Sequence, residues 1–254
     1  MAVLALLHKE LLEAWRTRRL LVLAAVFLLF GLLAPITAKL TPELLKLVGE
    51  SAPGVVIQAP IPTSSDAVAQ YVKNLSQILP LVVLLVSMGA VSGEKERGTL
   101  PMVVAKPVGR GAVLGCKFAV LALTVLAALG LGAVAAYYYT VILFGGLDVG
   151  GFVALNVIAG LYLLVVAALT FLASTLASGT PPAGVLAFGF WLVLVVLSAL
   201  PEVGRWSPAA LPAWAAEVGL GIQGTAAWPA VGVSALLIAA ALGLALLAFR
   251  RHEF

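Results

Sequence analysis

Six long stretches without a charged side chain constrain this sequence more than any other feature. Most of them reach the ~18–20 residues that an α-helix needs to cross about 30 Å of hydrocarbon. The pattern predicts an all-α, polytopic membrane protein that forms a single transmembrane domain over residues 1–254. Its six predicted transmembrane helices are 20–38, 75–91, 118–144, 152–177, 184–200 and 230–249.

The composition excludes several other classes of protein. Hydrophobic residues make up 63% of the chain, charged residues make up 10%, and the mean hydropathy is +1.15. A soluble domain is near half apolar and a quarter charged, so no soluble core would absorb this excess. A water-soluble enzyme, a disordered chain and a disulfide scaffold are therefore excluded. Cys116 is the single cysteine, so no internal disulfide can form.

The lysines and arginines predict the orientation in the membrane. Eleven of them fall in one alternating set of connecting segments and four in the other set. Basic residues favour the cytoplasmic side, so both termini and the segment 93–117 are expected in the cytoplasm of a cell-membrane protein. Because the basic residues cluster at the ends of the spans, the net charge of +4 indicates topology, and no nucleic-acid partner is expected.

The segments that flank the spans contain further helix signals. Residues 1–19 predict an amphipathic helix with Leu4, Leu7 and Leu11 on one face. Trp15, Arg16, Arg18 and Arg19 suit the headgroup region. This helix is either an anchor for the first span or an elbow helix that transmits motion from a cytoplasmic partner.

The outer segments 39–74 and 201–229 predict short helices at the membrane interface. Helix starts are expected at Thr41-Pro42-Glu43, at Ser64 and at Ser207-Pro208. Tryptophans would anchor the second segment. Pro80 should kink the second span, and Gly179-Thr180-Pro181-Pro182 should form a turn between the fourth and fifth spans.

The spans contain no ionisable residue, which weakens the case for a proton- or ion-coupled transporter. Their polar residues predict hydrogen bonds between helices, or a weakly polar translocation path. They are Thr124, Asn156, Tyr162, Thr170, Ser174, Thr175, Ser198 and Ser234. No catalytic constellation and no set of metal ligands is present in the sequence, so an enzyme is not expected. The glycines of 109–115 lack the Gly-Lys-Ser/Thr ending of a phosphate-binding loop.

The segment 93–117 carries the most functional information. Glu94 and Gly98 are four residues apart, which predicts a short charged helix that ends at glycine. This helix is either part of a solvated loop or a docking helix for a soluble partner.

At these residues the chain resembles the permeases of ABC-2-type transporters. The matching positions are Glu94, Glu96, Gly98, Thr99, Leu100, Pro107, Arg110, Lys117 and Phe118. The resemblance implies a homodimer or a pair with a paralogous permease, and a separate ABC ATPase that carries ATP and Mg²⁺. No cofactor is expected on this chain. By the same resemblance, five residues would contact the ATPase, namely Glu94, Glu96, Arg97, Gly98 and Thr99, and residues 1–19 would form the elbow.

The sequence thus predicts the permease subunit of an ATP-driven exporter in the lipid bilayer. Two alternatives stay open. One is a secondary transporter or channel, and the other is a membrane assembly factor that transports nothing. The sequence does not choose among cargoes.

Overall fold

The computed structural model describes residues 2–50, 61–98, 109–222, 224 and 226–251, and the regular elements in that part of the chain are all helices. In chain order they are α1 Ala2–Arg16, α2 Arg19–Glu50, α3 Ser64–Gln77, α4 Leu79–Ser87, α5 Ser92–Glu96, α6 Arg110–Phe144, α7 Val149–Leu176, α8 Thr180–Ser198, α9 Pro201–Gly204, a 3₁₀ turn Pro208–Ala210, α10 Leu211–Gly219 and α11 Trp228–Arg251.

Six helical segments are long and apolar enough to cross a membrane, which confirms the predicted fold class. They are Arg19–Leu44, Ser64–Glu96, Arg110–Phe144, Val149–Leu176, Thr180–Ser198 and Trp228–Arg250. Several of these helical segments are longer than the spans predicted from the sequence. The helix α6 has 35 residues, which corresponds to about 50 Å, and begins at Arg110 rather than at 118. The charged residues Arg110 and Lys117 therefore lie within its first turns instead of in a loop.

The second span is interrupted where the sequence predicts it. The helix α3 ends at Gln77 and α4 begins at Leu79, so the break at Ile78 lies two residues before Pro80, which has no N–H to donate. Helical hydrogen bonding resumes beyond the break, because the Val82 N–H donates to the Ile78 carbonyl at 3.2 Å. The expected helix start at Ser64 is also confirmed, with Thr63 and Asp66 forming a capping box.

The predicted helix start at Thr41-Pro42-Glu43 is wrong, because α2 runs through Pro35 and Pro42 to Glu50 without a new start. The Thr41 hydroxyl donates to the Thr37 carbonyl at 2.7 Å, four residues back in the same helix, and so caps nothing. A threonine with this back-bonding remains helical, and the proline after it resembles a first-turn residue only in sequence.

The centre of the bundle is α7, which contacts α4, α6, α8, α10 and α11 and has the most buried apolar window of the six spans. The two longest helices, α2 and α6, meet through glycines. A Cβ on Gly132 would lie 2.7 Å from the Phe27 carbonyl oxygen, and one on Gly31 would collide with the Gly132 carbonyl. Small residues allow this approach of two backbones.

The polar residues of the spans have two roles. Three make contacts between elements: the Tyr71 hydroxyl donates to Asn156 at 2.7 Å, the Trp191 indole donates to Tyr162 at 2.9 Å, and Ser174 binds backbone at the start of α5. The other five donate to carbonyls of their own helix; they are Thr124, Thr170, Thr175, Ser198 and Ser234. The prediction of interhelical bonds therefore holds for only three of the eight.

The segment after α8 is packed more deeply than an interfacial position alone requires. Ser207 begins the 3₁₀ turn, as predicted, and its hydroxyl accepts from the Ala209 N–H at 3.3 Å. The helix α10 ends at Gly219 and buries Leu211 and Ala215 against the core. Trp206 and Trp228 are exposed, as residues facing a membrane interface would be.

Candidate functional site

The helix α5 is short, and its position depends on a serine of α7. The Ser174 hydroxyl oxygen accepts from the backbone N–H groups of Val91 and Ser92 at 2.9 and 3.0 Å. The helix ends at Glu96, Arg97 caps it, and Gly98 follows with a φ of +64°, which favours glycine. The predicted short charged helix that ends at glycine is therefore present. Thr99 lies outside the described residues.

Glu94, in the first turn of α5, points into the protein and is 4% exposed. The Lys117 ammonium of α6 lies 2.7 Å from the Glu94 carboxylate and 3.1 Å from that of Glu10 on α1. Lys9 completes the group, at 2.9 Å from Glu10, 3.2 Å from Glu13 and 3.4 Å from Glu94. We call Lys9, Glu10, Glu13, Glu94 and Lys117 the charged cluster. It joins α1, α5 and α6.

The charged cluster has the carboxylate density of a cation site, but lysines supply the positive charge. Oxygens of Glu10, Glu13 and Glu94 lie within 4.8 Å of one another. Burial opposes the charge on Lys9, yet its hydrogen bond to Glu10 and the nearby carboxylates outweigh burial and raise its pKa. Burial would raise the pKa of Glu13, but the charges of Lys117 and Lys9 outweigh this effect and lower it. Lys9 and Glu13 are therefore both charged at neutral pH.

The next two residues of α5 bind the turn between α7 and α8. The Lys95 ammonium donates to the carbonyls of Thr175 and Ala177, the latter at 3.1 Å. The Glu96 carboxylate accepts from the Thr180 N–H at 2.7 Å and from the Thr180 hydroxyl at 2.8 Å. A cation at the carboxyl end of α7 and an anion at the amino end of α8 are the favourable placements for helix dipoles. Three successive side chains therefore connect α5 to α1, α6, α7 and α8.

The structure separates the five residues that were predicted to contact an ATPase. Glu94 departs from that expectation, because its carboxylate is buried against Lys117. Glu96, Arg97 and Gly98 are exposed, and the Arg97 guanidinium donates to the Gly93 carbonyl at 2.9 Å. Their contact with an ATPase stays a prediction.

The residues predicted for the elbow lie at the end of α1 and the start of α2. Trp15, Arg16 and Arg18 are exposed, and half-buried Arg19 donates to the Gly89 carbonyl at 3.1 Å. The helix α1 packs on α6 through Leu6 and Glu10, which are both buried, whereas Leu4, Leu11 and Trp15 on another side of the helix are exposed. Exposed apolar side chains of this kind suit the headgroup region of a membrane. The position of α1 at the membrane surface stays a prediction.

Sequence reasoning missed four members of the charged cluster as site residues: Lys9, Glu10, Glu13 and Lys117. Two signals were available. Glu10 and Glu13 interrupt a segment that is otherwise basic, three residues apart on one helical face. Lys117 lies two helical turns beyond Arg110, directly before an apolar stretch, where a lysine needs a partner.

A family comparison covers this site. The model of a family described as "ABC-2 family transporter protein" matches residues 4–205, which include most of α1, all of α5 and the whole charged cluster. The chain belongs to the ABC-2 transporter family. The resemblance seen in the sequence is thereby confirmed, and the chain is a multi-pass membrane protein and a transporter permease. Membership of this permease family also supports a membrane subunit that is not itself an enzyme.

Relatives of this ABC-2 family chain agree along most of its length. It is 32% identical over 221 residues to the "Probable ABC transporter permease protein NosY" of Stutzerimonas stutzeri, covering 81% of this chain and 73% of the relative. The protein of the same name from Pseudomonas aeruginosa gives 32%, 81% and 74%. The "Uncharacterized transmembrane protein YxlG" of Bacillus subtilis is 24% identical over 208 residues, covering 82% of this chain and 81% of the relative.

Proposed function

We propose that this chain is the permease subunit of an ATP-driven exporter, and that it couples to a separate ATPase subunit which carries ATP and Mg²⁺. It pairs with a second permease chain, identical or paralogous, and the translocation path lies between the two. Its termini and α5 face the cytoplasm of a cell-membrane protein. The relatives named as ABC transporter permeases and the excess of basic residues in one set of connecting segments support these assignments.

The observation that carries the proposal is the set of connections made by α5. Glu96 at the end of this helix and the next two residues, Arg97 and Gly98, are exposed. The side chains of Glu94, Lys95 and Glu96 bind four neighbouring helices. A force applied to its exposed side therefore reaches α1, α6, α7 and α8 without passing through a flexible segment. Such an element is suited to convert closure of an ATPase dimer into rotation of the spans.

The test starts from the tagged chain purified from membranes of its host and reconstituted in liposomes with the ABC ATPase that accompanies it. We expect Arg97→Glu to reduce ATPase recovery and ATP hydrolysis together, by about tenfold or more, because it reverses a charge on the exposed face of α5. Arg205→Glu is the matched control. Arg205 is also exposed but directly follows α9, beyond the far end of α8, at the opposite end of the bundle from α5.

Normal ATPase recovery by the Arg97→Glu protein would contradict docking through this face. Solute flux in liposomes that lack any ATPase would instead indicate a secondary transporter or channel. A reconstituted complex that hydrolyses ATP without moving any solute would indicate an assembly factor.

A further inference from the structure

A cavity of about 420 Å³ opens between α2, α4, α5 and α8, at the end of the spans that carries the charged cluster. Two arginines line it, Arg19 from the start of α2 and Arg97 from the end of α5. The remaining wall includes the apolar side chains of Val22, Leu85 and Val86 from the membrane-spanning helices, together with polar residues near the ends of these helices, namely Thr17, Glu96 and Thr180. The cavity therefore has a cationic part and an apolar part.

Among the described residues, neither guanidinium has a carboxylate within ion-pairing distance. The five ion pairs found there all join Lys9 or Lys117 to Glu10, Glu13 or Glu94. The hydrogen bonds of Arg19 and Arg97 go to the backbone carbonyls of Gly89 and Gly93. Each guanidinium carries five N–H donors, so both keep donors for a ligand.

Glu96 is the one carboxylate in the cavity wall, and both of its oxygens accept from Thr180. It thus binds the end of α8 and does not pair with an arginine. Two guanidinium groups and one carboxylate leave the lining with a formal charge of +1. A ligand that carries a single negative charge would balance it.

Glycines keep the guanidinium groups accessible from the cavity. A Cβ on Gly89 would lie 3.5 Å from an Arg19 nitrogen, and one on Gly93 would lie 3.5 Å from an Arg97 nitrogen. Any side chain longer than alanine at these positions would therefore extend into the space beside the arginines.

We propose that this cavity binds the headgroup of an anionic phospholipid, with the phosphodiester between Arg19 and Arg97 and the acyl chains along Val22 and Leu85. Arginine binds phosphate oxygens through paired, charge-assisted hydrogen bonds. Basic pockets between spans at the membrane surface recognise anionic lipids. The combination of a cationic rim and an apolar wall selects a lipid over a small soluble anion. The proposal does not depend on an ATPase.

The experiment uses the full-length chain in a neutral detergent, titrated with phosphatidylglycerol and, separately, with phosphatidylcholine. Native mass spectrometry counts the bound lipids, and the thermal unfolding midpoint is read in parallel. We expect phosphatidylglycerol to be retained and to raise the midpoint, and phosphatidylcholine to do neither. Arg19→Gln and Arg97→Gln should each weaken phosphatidylglycerol binding by about tenfold, the loss of one charged hydrogen-bonding partner. Arg16→Gln is the matched control, because Arg16 is exposed and outside the cavity.

Three results would overturn the proposal. The first is equal retention of phosphatidylglycerol by the Arg19→Gln/Arg97→Gln protein and the wild type. The second is equal retention of the two lipids by the wild type. The third is an increase of the thermal unfolding midpoint by soluble glycerol 3-phosphate as large as that caused by phosphatidylglycerol. This result would assign the cavity to a free phosphate ester instead of a membrane lipid.

Discussion

The charged end of the bundle and the uncharged body of its spans are held together by different interactions. At the charged end, two lysines and three glutamates share ion pairs of 2.7–3.4 Å between α1, α5 and α6. In the body, helices meet through a glycine contact between α2 and α6 and through neutral hydrogen bonds such as Tyr71 to Asn156.

The two kinds of interaction respond differently to change. A glycine contact depends only on backbone shape, so charge and pH do not affect it. A buried ion pair depends on every member remaining charged, because a lone buried charge is costly. The end that receives the proposed ATPase is thus the end whose packing is sensitive to electrostatics, and the following predictions test this contrast.

The largest effect is expected from Lys117→Met. It removes the ammonium that is buried between Glu94 and Glu10, and removal of one partner from a buried ion pair costs about 3–5 kcal/mol. The free energy of unfolding can be measured in mixed micelles by titration with a denaturing detergent. Lys117→Met combined with Glu94→Leu should recover part of the loss in the free energy of unfolding. The double variant removes both members of this ion pair, and Glu10 keeps its pair with Lys9, so no buried carboxylate is left without a partner. Wild-type stability of the single variant would contradict a tightly coupled cluster.

A smaller effect, in the body of the bundle, is expected from Gly132→Ala. The added methyl group would lie 2.7 Å from the Phe27 carbonyl oxygen, so α2 and α6 must separate. Overpacking of this kind costs about 1–3 kcal/mol. Gly130→Ala provides the control two residues away on α6, where the added Cβ meets no atom within 4 Å. Equal stability of the two variants, measured in the same micelles, would show that the close contact is absent.

The smallest effect is expected from acid. The lowered pKa of Glu13 means that its contribution to holding α1 is present at neutral pH and is lost as the pH falls through that pKa. The raised pKa of Lys9 keeps that lysine charged throughout this range. Loosening of α1 can be followed through Cys116, which is buried together with Leu6 of α1.

The reagent 2,2′-dipyridyl disulfide reacts with thiols in acid. It should modify Cys116 faster as the pH falls through the lowered pKa of Glu13. Glu13→Gln should raise the neutral-pH rate and flatten the dependence on pH. The Gly132→Ala protein should keep the wild-type profile, because its defect is in the uncharged body. A wild-type rate of Cys116 modification that does not change in acid would contradict this prediction.

The sequence was sufficient for much of the architecture because membrane crossing imposes a simple requirement. A helix in hydrocarbon needs about 20 apolar residues, so six spans can be read directly, and the break before Pro80 follows from a residue with a restricted backbone. The turn predicted at Gly179–Pro182 was placed too late. It lies at residues 177–179, and Thr180, Pro181 and Pro182 form the first turn of α8, where a proline lacks only an N–H that would have no partner in the helix. The capping signal was misleading at Thr41-Pro42-Glu43, because the same three residues can begin a helix or lie inside one that continues. It also could not show that α6 begins at Arg110, because helical hydrogen bonds form as well outside the hydrocarbon as inside it.

What the sequence alone determined is the number of spans, the family and the existence of a short charged helix before Gly98, since each depends on residues that are close in the chain. Only the tertiary structure decided which way each charge on that helix faces. Glu94 and Glu96 are two residues apart, yet one is buried against Lys117 and the other binds Thr180, 84 residues away. Burial and pairing depend on neighbours that the fold brings together from distant segments, so spacing along the chain could not distinguish the two carboxylates.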